Sequence, residues 1–473
     1  MKRAKFLNWV YAIAAVGMLS VLNACDPKTD DDTDTGNETG DEIEIRGELS
    51  GTENWEAKNT YLLKGFVYVT DGAILNIEPG TVIKGDKDTK GTLVVERGGQ
   101  INAQGTKEKP IVFTSNQPAG SRSYGDWGGI VICGRAAVNS TSGTATIEGG
   151  IRSEYGGGSN PVNDDNSGVL SYVRIEFCGI EYATDNEING LTLGGVGSGT
   201  TLNHIQISYS GDDSFEMFGG SANAKYLVAY RGWDDDFDTD NGYSGKLQFL
   251  VSLRDPNVAD KSESNGFESD NDSKGSTNAP FTNPTFSNVS LFGPYTSLTD
   301  VVNPTGGSST GLFKSGIHLR RNTKLSMYNS VIAGWPYGVR IENGGKGTAQ
   351  QNAADGYLVL ANNLVAGSGI QNFHEDKVAY DETQQFVQNY WNREGANNLS
   401  LETVAALGLK NPFSLSAPGF TALTTSSAVY GKASFEHAEV SGSFFDKVNY
   451  IGAFGTEDWT AGWCNFDPQN TEY

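Results

Sequence analysis

"NGLTLGG" at Asn189, "DSFEMFGG" at Asp213, "DDFDTDNG" at Asp235 and "NGFESDND" at Asn265 are copies of one short pattern. They share a column of large apolar residues, Leu191, Phe215, Phe237 and Phe267, which continues as Ile317 in "SGIHLRR" and Val339 in "YGVRIENG". Successive members lie 24, 22, 30, 50 and 22 residues apart. A basic step of 22 with insertions fits one turn of a parallel β-helix, in which a turn cannot bury its own apolar face and must stack on the next. A second column keeps the same register through "YVRIEFCG" at Tyr172, "HIQISYSG" at His204, "YLVAYRG" at Tyr226, "FLVSLRD" at Phe249, "NVSLFG" at Asn288, "NSVIAG" at Asn329 and "NLVAGS" at Asn363. The fold class expected is all-β, a right-handed parallel β-helix solenoid with a small C-terminal capping region.

Composition agrees. Sixty Gly and 14 Pro suit many short strands and turns, and a hydrophobic content of 37% suffices for a narrow stack. Earlier turns appear in "GFVYVTDGAILNIEPGTVIKG" from Gly65, "GTLVVERGGQINAQGT" from Gly91, "KPIVFTSN" from Lys109 and "GGIVICGRAAVN" from Gly128. Alternation places Val67, Val69, Leu75, Ile77, Val82, Leu93, Val95, Ile101, Val112, Ile130 and Ile132 inward. Arg46 to Tyr61 is expected to cap the first turn, since an open end exposes a raw strand edge. Polar insertions are expected at Gly149 to Gly168, Ser273 to Thr310 and Gly344 to Asp355. After Ala379 the pattern fails; "SLETVAALG" at Ser400 reads as one short helix. Trp459 and Trp463, with Phe454 and Phe466, are expected to pack the final cap.

The first residues read as an address. Lys2, Arg3 and Lys5 precede an apolar run from Phe6 to Leu22 that ends in Leu22, Asn23, Ala24, Cys25, a secretory leader with a lipobox. Cleavage before Cys25 leaves a lipidated cysteine and membrane attachment through it. From Asp26 to Glu44 there are nine carboxylates, one lysine and no aromatic residue, the composition of a disordered tether. The division is therefore residues 1–24 lipoprotein signal, 25–45 acidic tether, 46–380 parallel β-helix and 381–473 capping region. The formal charge of −23 becomes −26 once the three leader cations are removed, which excludes nucleic-acid binding through phosphate neutralisation.

"IEPGTVIKG", "EKPIVFTS" and "GDWGGIVICGRA", with "NGLTLGGVGSGT", "SYSGDDSFEMFGG", "AYRGWDDDFDTDNG" and "YIGAFGTEDWTAGWCNFDP", resemble a family of bacterial outer-membrane and surface β-helix lipoproteins of Bacteroidota type. The resemblance covers most of Gly65 to Tyr473. It implies the fold and a lipid-anchored, cell-surface place at the outer membrane, and little about activity. The acidic run after Cys25 is similar to the signal that sends such lipoproteins to the outer face.

Alternation also gives the outward side chains. If the phenylalanines point in, the next residues form the column Thr192, Glu216, Asp238, Glu268, His318, Arg340. Two places further on stand Gly194, Phe218, Asp240, Asp270, Arg320, Glu342. Stacked carboxylates about 5 Å apart raise one another's pKa unless a cation or arginine intervenes. Glu216, Asp238, Asp240, Glu268 and Asp270 are thus candidate Ca²⁺ ligands in a Gly- and Asp-rich extracellular setting. The corner residues Asp212, Asp213, Asp234, Asp235 and Asp236 have a structural reading too, as caps on backbone N–H groups. An acidic β-helix face with a nearby arginine resembles that of pectate-lyase-like enzymes, in which Ca²⁺ holds the uronate and arginine takes a proton. That likeness implies Arg320 and Arg340 as the candidates if the protein is an enzyme. Cys133 and Cys178 each precede a strand-ending Gly, and either a disulfide on adjacent turns or unpaired small residues fits that spacing. His204 and His374 have no zinc or triad spacing. Together these features favour binding of an extracellular ligand, a glycan or a partner outer-membrane barrel protein, with structural Ca²⁺. A Ca²⁺-dependent polysaccharide lyase or other glycan-cleaving enzyme, and a purely structural surface-assembly protein, are the alternatives.

Overall fold

Each coil of the chain makes three short strands, and like strands of successive coils pair in parallel, so the solenoid is a three-sided prism. The computed structural model describes residues 40–183, 186–304, 306–307, 311–344, 348–376 and 385–473. The leader, Cys25 and the tether up to Thr39 lie outside the described residues.

The first sheet carries the column that set the fold. Phe66–Val69 pairs with Thr92–Val95, then Ile130–Cys133, Leu191–Gly194, Phe215–Phe218, Phe237–Asp240, Phe267–Ser269, Ser315–Leu319, Tyr337–Glu342 and Gln371–Asp376. The register is the one read from sequence: Leu191, Phe215, Phe237, Phe267, Ile317 and Val339 align. Phe215 stacks on Phe237 at 5.3 Å and Phe237 on Phe267 at 5.0 Å. Such aromatic pairs add about 0.5–1.5 kcal/mol each beyond their burial. The second column of the sequence forms the other two sheets in one pass per coil. Asn223–Tyr230, for example, pairs along its whole length with Thr201–Ser208 and with Lys246–Leu253, and bends once between the two sheets.

That bend is a residue in the left-handed region: Tyr172, His204, Tyr226, Phe249, Asn288, Asn329 and Asn362 all have φ between 51° and 62°. A left-handed L-residue costs about 1–2 kcal/mol, so each coil needs something in return at this corner. In the first four of these it is ring stacking, Tyr172 on His204 at 4.3 Å, His204 on Tyr226 at 4.4 Å and Tyr226 on Phe249 at 5.1 Å. In the later coils it is asparagine, which tolerates the conformation and turns its amide to a second segment.

The helix Phe386–Trp391 covers the last coil, with Val387, Tyr390 and Trp391 packed into the core and Trp391 against Phe373. The second segment is the rest of the C-terminal region, which does not cap the end. It runs as a strap back along the corner and over the third sheet. Asn362 Nδ2 donates to Lys432 O (3.3 Å), Asn329 Nδ2 to Ser434 O (2.9 Å) and Asn288 Nδ2 to Tyr450 O (2.9 Å). Gln248 and Gln206 make paired amide-to-backbone bonds with Asp446 and Asn465, all at 2.8 Å. Phe420, Ile451, Phe454 and Trp463 bury Val228, Val251, Phe292 and Val331 of the third sheet, and Trp459 stacks on Phe454. The four aromatics expected in a terminal cap therefore pack, but against the side of the prism. Asn329→Ala leaves the Ser434 amide and carbonyl without their partners in a half-buried place. A loss of about 1–3 kcal/mol is expected, visible as a lower midpoint in urea and earlier proteolysis of the strap.

Other expectations shift locally. Arg46 to Tyr61 is not a cap: Glu42–Leu49 and Thr52–Trp55 are themselves the first coil, paired with Thr60–Val69 and Ile74–Ile77. The strand thus begins at Glu42, within the acidic stretch. Val82 and Val112 are register partners that face outward, with Ile83 and Phe113 in the core, because the turn after Pro79 shifts the alternation by one residue. The described part of the span Ser273 to Thr310 is not one loop, because it contains the strand Thr285–Phe292. Ser400 is in a strand, Leu399–Leu401, and only Val404–Leu407 turns, as a 3-10 helix. Cys133 and Cys178 are free thiols. Cys133 ends a first-sheet strand beside Gly194 and faces outward, whereas Cys178 follows the third sheet and points into the core, so adjacency in pattern was not adjacency in space. Among the described residues no helix is long and apolar enough to cross a membrane.

Candidate functional site

The corner between the third and first sheets concentrates the acids. It is made by the turns that carry Asp212 and Asp213, then Asp234, Asp235 and Asp236, directly before Phe215 and Phe237. Part of this array is structural. Asp213 Oδ1 accepts the backbone N–H of Asp235 (2.8 Å), Asp235 Oδ1 accepts that of Asn265, and Asn265 Oδ1 accepts that of Ser315 (3.1 Å). Each acid or amide thus caps the next coil, the ladder expected of β-helix corners.

Asp236 is anchored differently. Its Oδ1 meets Arg254 Nη1 at 2.9 Å, with both side chains fully buried. The same guanidinium donates to the carbonyls of Asp234 (2.6 Å) and Trp233 (2.9 Å) and lies against Phe313 and Trp335. Arg254 therefore fixes the turn that presents Asp234 and Asp235. Pattern reading missed it, because "SLRD" in the second column looks like an ordinary strand end and the coil before it carries an arginine, Arg231, at the same position.

The outward column on the first sheet has the predicted register, Thr192, Glu216, Asp238, Glu268, His318, Arg340. The five proposed ligands do not form one set, however. Glu268 and Asp270 are taken by arginine: Arg320 bonds both, with Nε 2.9 Å from Asp270, Arg321 Nη1 is 2.8 Å from Asp270, and His318 Nδ1 is 3.3 Å from Glu268. Burial alone would raise Glu268, but Arg320 and His318 outweigh it and hold the carboxyl down to about 2. Asp240 lies beside Asp270 and the ring of Tyr155. Arg340 is buried against Glu263 and Ser315. Neither Arg320 nor Arg340 is presented as a proton acceptor.

Glu216 and Asp238 go with the corner instead. Asp213, Glu216 and Asp238 bring one carboxylate oxygen each within 4.8 Å of one another, and so do Asp212, Asp213 and Asp234, so that Asp213 belongs to both triads. Burial first, then neighbouring carboxylates, pushes Asp212, Asp213, Glu216 and Asp238 well above the usual carboxylate range. Asp234 is pushed up to about 7, against the hydrogen bond from Ser262. Around the inner triad are neutral oxygens. Asn189, 1% exposed, touches Glu216 through its amide nitrogen and has no partner for Oδ1; Thr192, 1% exposed and paired in register with Glu216, has none for Oγ1; Asp238 Oδ1 is likewise buried and unpartnered. This donor set fits a hard divalent cation, which takes six to eight oxygens and would satisfy the orphaned ones.

The outer triad opens into a cleft of about 600 Å³. Asp212, Trp233 and Asp234 line it, together with Tyr124 and Gly125 from one segment and Asp260, Lys261 and Ser262 from another. At this cleft Asp212 and Asp234 are open to solvent. Along the inner part of the first sheet, Ile147, Ile151 and Tyr155 of the long insertion after Cys133 cover the outward face.

A search of curated proteins finds no match for this chain. Among solved structures, the pectate lyase Pel9A is similar with a TM-score of 0.37 and 13% identity, over 82% of this chain and 89% of that one. At that similarity it adds nothing to the fold derived above. The family model described as pectate-lyase like beta helix domain matches residues 47–407, nearly the whole prism. The protein belongs to the pectate-lyase-like β-helix domain family.

Proposed function

We propose that this protein is a lipid-anchored protein of the outer membrane, exposed at the cell surface, that binds an extracellular glycan beside a bound Ca²⁺ ion. The observation that carries the reading is the pair of carboxylate triads meeting at Asp213, next to the unpartnered buried oxygens of Asn189, Thr192 and Asp238. Asp213, Glu216 and Asp238 with Asn189 and Thr192 would hold an inner ion, and Asp212, Asp213 and Asp234 an ion reachable from the cleft. Such an ion adds positive charge to that of Lys87 and Lys261 at the cleft, and it gives an acidic cleft a means to take hydroxyl or carboxylate oxygens of a sugar. Membership of the family supports a polysaccharide as the ligand class. The lipobox at Cys25 and the acidic run behind it support the surface location.

Titration of the mature chain with Ca²⁺ by calorimetry is expected to give heat and a raised melting temperature, and retention on immobilised uronate polymers that chelator abolishes. No heat and no shift would sink the cation reading. Capture of a membrane barrel protein with no glycan retention would favour the partner reading instead. Family membership also favours a second reading, a Ca²⁺-dependent lyase; with Arg320 and Arg340 committed to carboxylates, the base would have to be another group. Absence of unsaturated product over the same polymers counts against it.

A further inference from the structure

We infer that the end of the C-terminal strap, through Arg122, sets one wall of the ligand cleft. The inference rests on the cation-binding reading above and adds a positioning residue far from the acids. The wall is the segment Gln117 to Asp126, an excursion between the third and first sheets that presents Tyr124 and Gly125 to the cleft. Its inner end is tied to the coil: Gly125 N–H donates to Cys178 O and Asp126 N–H to Phe177 O, both at 2.9 Å, while buried Asp126 accepts from Ser115 and Ser123. Its outer end is tied to the strap, with the Arg122 guanidinium also over the ring of Phe177 at 6.0 Å. Arg122, 6% exposed, donates through Nη1 to the carbonyls of Pro468 and Thr471, both at 2.7 Å, and through Nε to Gln117 O in its own loop. Gly120 N–H donates to Gln469 O at 2.6 Å.

The strap end is in turn built to hold still. The ring of Tyr473 lies under Arg122 at 5.1 Å, and its hydroxyl donates to buried Glu176 at 2.7 Å. Gln206 locks Asn465 by the amide pair described above. An arginine buried with three carbonyl acceptors and no carboxylate bonded to it serves geometry rather than charge pairing. What it helps to fix is the place of Tyr124, whose ring lies 5.2 Å from Tyr209 and packs edge-on against Trp233 of the cleft lining at 5.9 Å. Releasing Arg122 lets the wall drift while both triads and the Arg254 anchor stay intact.

The probe is Tb³⁺, an oxygen-seeking ion whose emission is sensitised by nearby tyrosine and tryptophan rings. Full mature protein is expected to show emission that Ca²⁺ competes away. Arg122→Ala is expected to weaken Tb³⁺ binding about 2- to 30-fold and to lower the emission at saturation, with Arg122→Lys restoring part of both. Gln206→Leu, which frees the strap end without touching the wall, is expected to do the same and keeps the test open if Arg122→Ala folds poorly. Folded variants with wild-type affinity and emission would overturn the role of the strap alone. No emission from the wild type would overturn the cation site, and this inference with it.

Discussion

Arg254→Ala is expected to be the most damaging single substitution at this site, lowering stability by about 3–5 kcal/mol. It leaves the Asp236 carboxylate buried with no counter-charge, and it removes the donors to the carbonyls of Trp233 and Asp234. The pair itself need not be a net gain. Replacing both members by apolar groups of similar size is commonly close to neutral, so Arg254→Met with Asp236→Leu should recover much of the loss in urea unfolding. The double variant should still bind cation poorly, since the turn that aims Asp234 has lost its tether. A single Arg254→Ala that unfolds at the wild-type midpoint would refute the anchoring role.

The second large effect is a pH dependence of stability that Ca²⁺ reverses. Asp212, Asp213, Asp234, Glu216 and Asp238 are held above their ordinary values in the fold, Asp234 at about 7. Between about pH 4 and pH 7 the folded chain therefore keeps protons that the unfolded chain has released. Stability must then fall as pH rises through that window. Glu268, held at about 2, acts with the opposite sign at lower pH: its contribution is full above the ordinary glutamate range and is lost as pH falls towards 2. His204, lowered to about 4 by burial between Tyr172 and Tyr226, also opposes the acids, because stability is lost as pH falls from about 6.5 to 4. His204→Phe, the residue type that Phe249 already supplies in the same stack, isolates the contribution of the acids. In chelator that variant is expected to melt lower at pH 7 than at pH 5. With Ca²⁺ at a hundred times its dissociation constant it should gain about 2.7 kcal/mol and the slope should flatten, with proton release on binding, the remainder belonging to raised acids outside the ion sites such as Glu148 and Asp270. A melting temperature that rises between pH 5 and 7 in chelator would refute the uncompensated cluster.

Much of this protein was legible before any coordinates. A side-chain period of two and a coil period near 22 determine the solenoid, the inward phenylalanine stack and the outward column through Glu216, Asp238 and Glu268, because strand pairing in a parallel stack preserves sequence register. Where a turn shifted the alternation, as between Pro79 and Val82, pattern reading lost the phase. Only the tertiary structure decided how the acids divide. Arg320 and Arg321 come from a coil separated by loops of irregular length, and their reach to Glu268 and Asp270 depends on side-chain direction rather than spacing. Asp213 joins Glu216 and Asp238 because a corner turns its side chain back across the strand, and corners carry no period. The strap lay further still from view: its contacts with Arg122, Gln206 and Asn329 span more than a hundred residues. Backbone carbonyls accept without regard to side-chain identity, so no motif in the strap records which side chains would hold it.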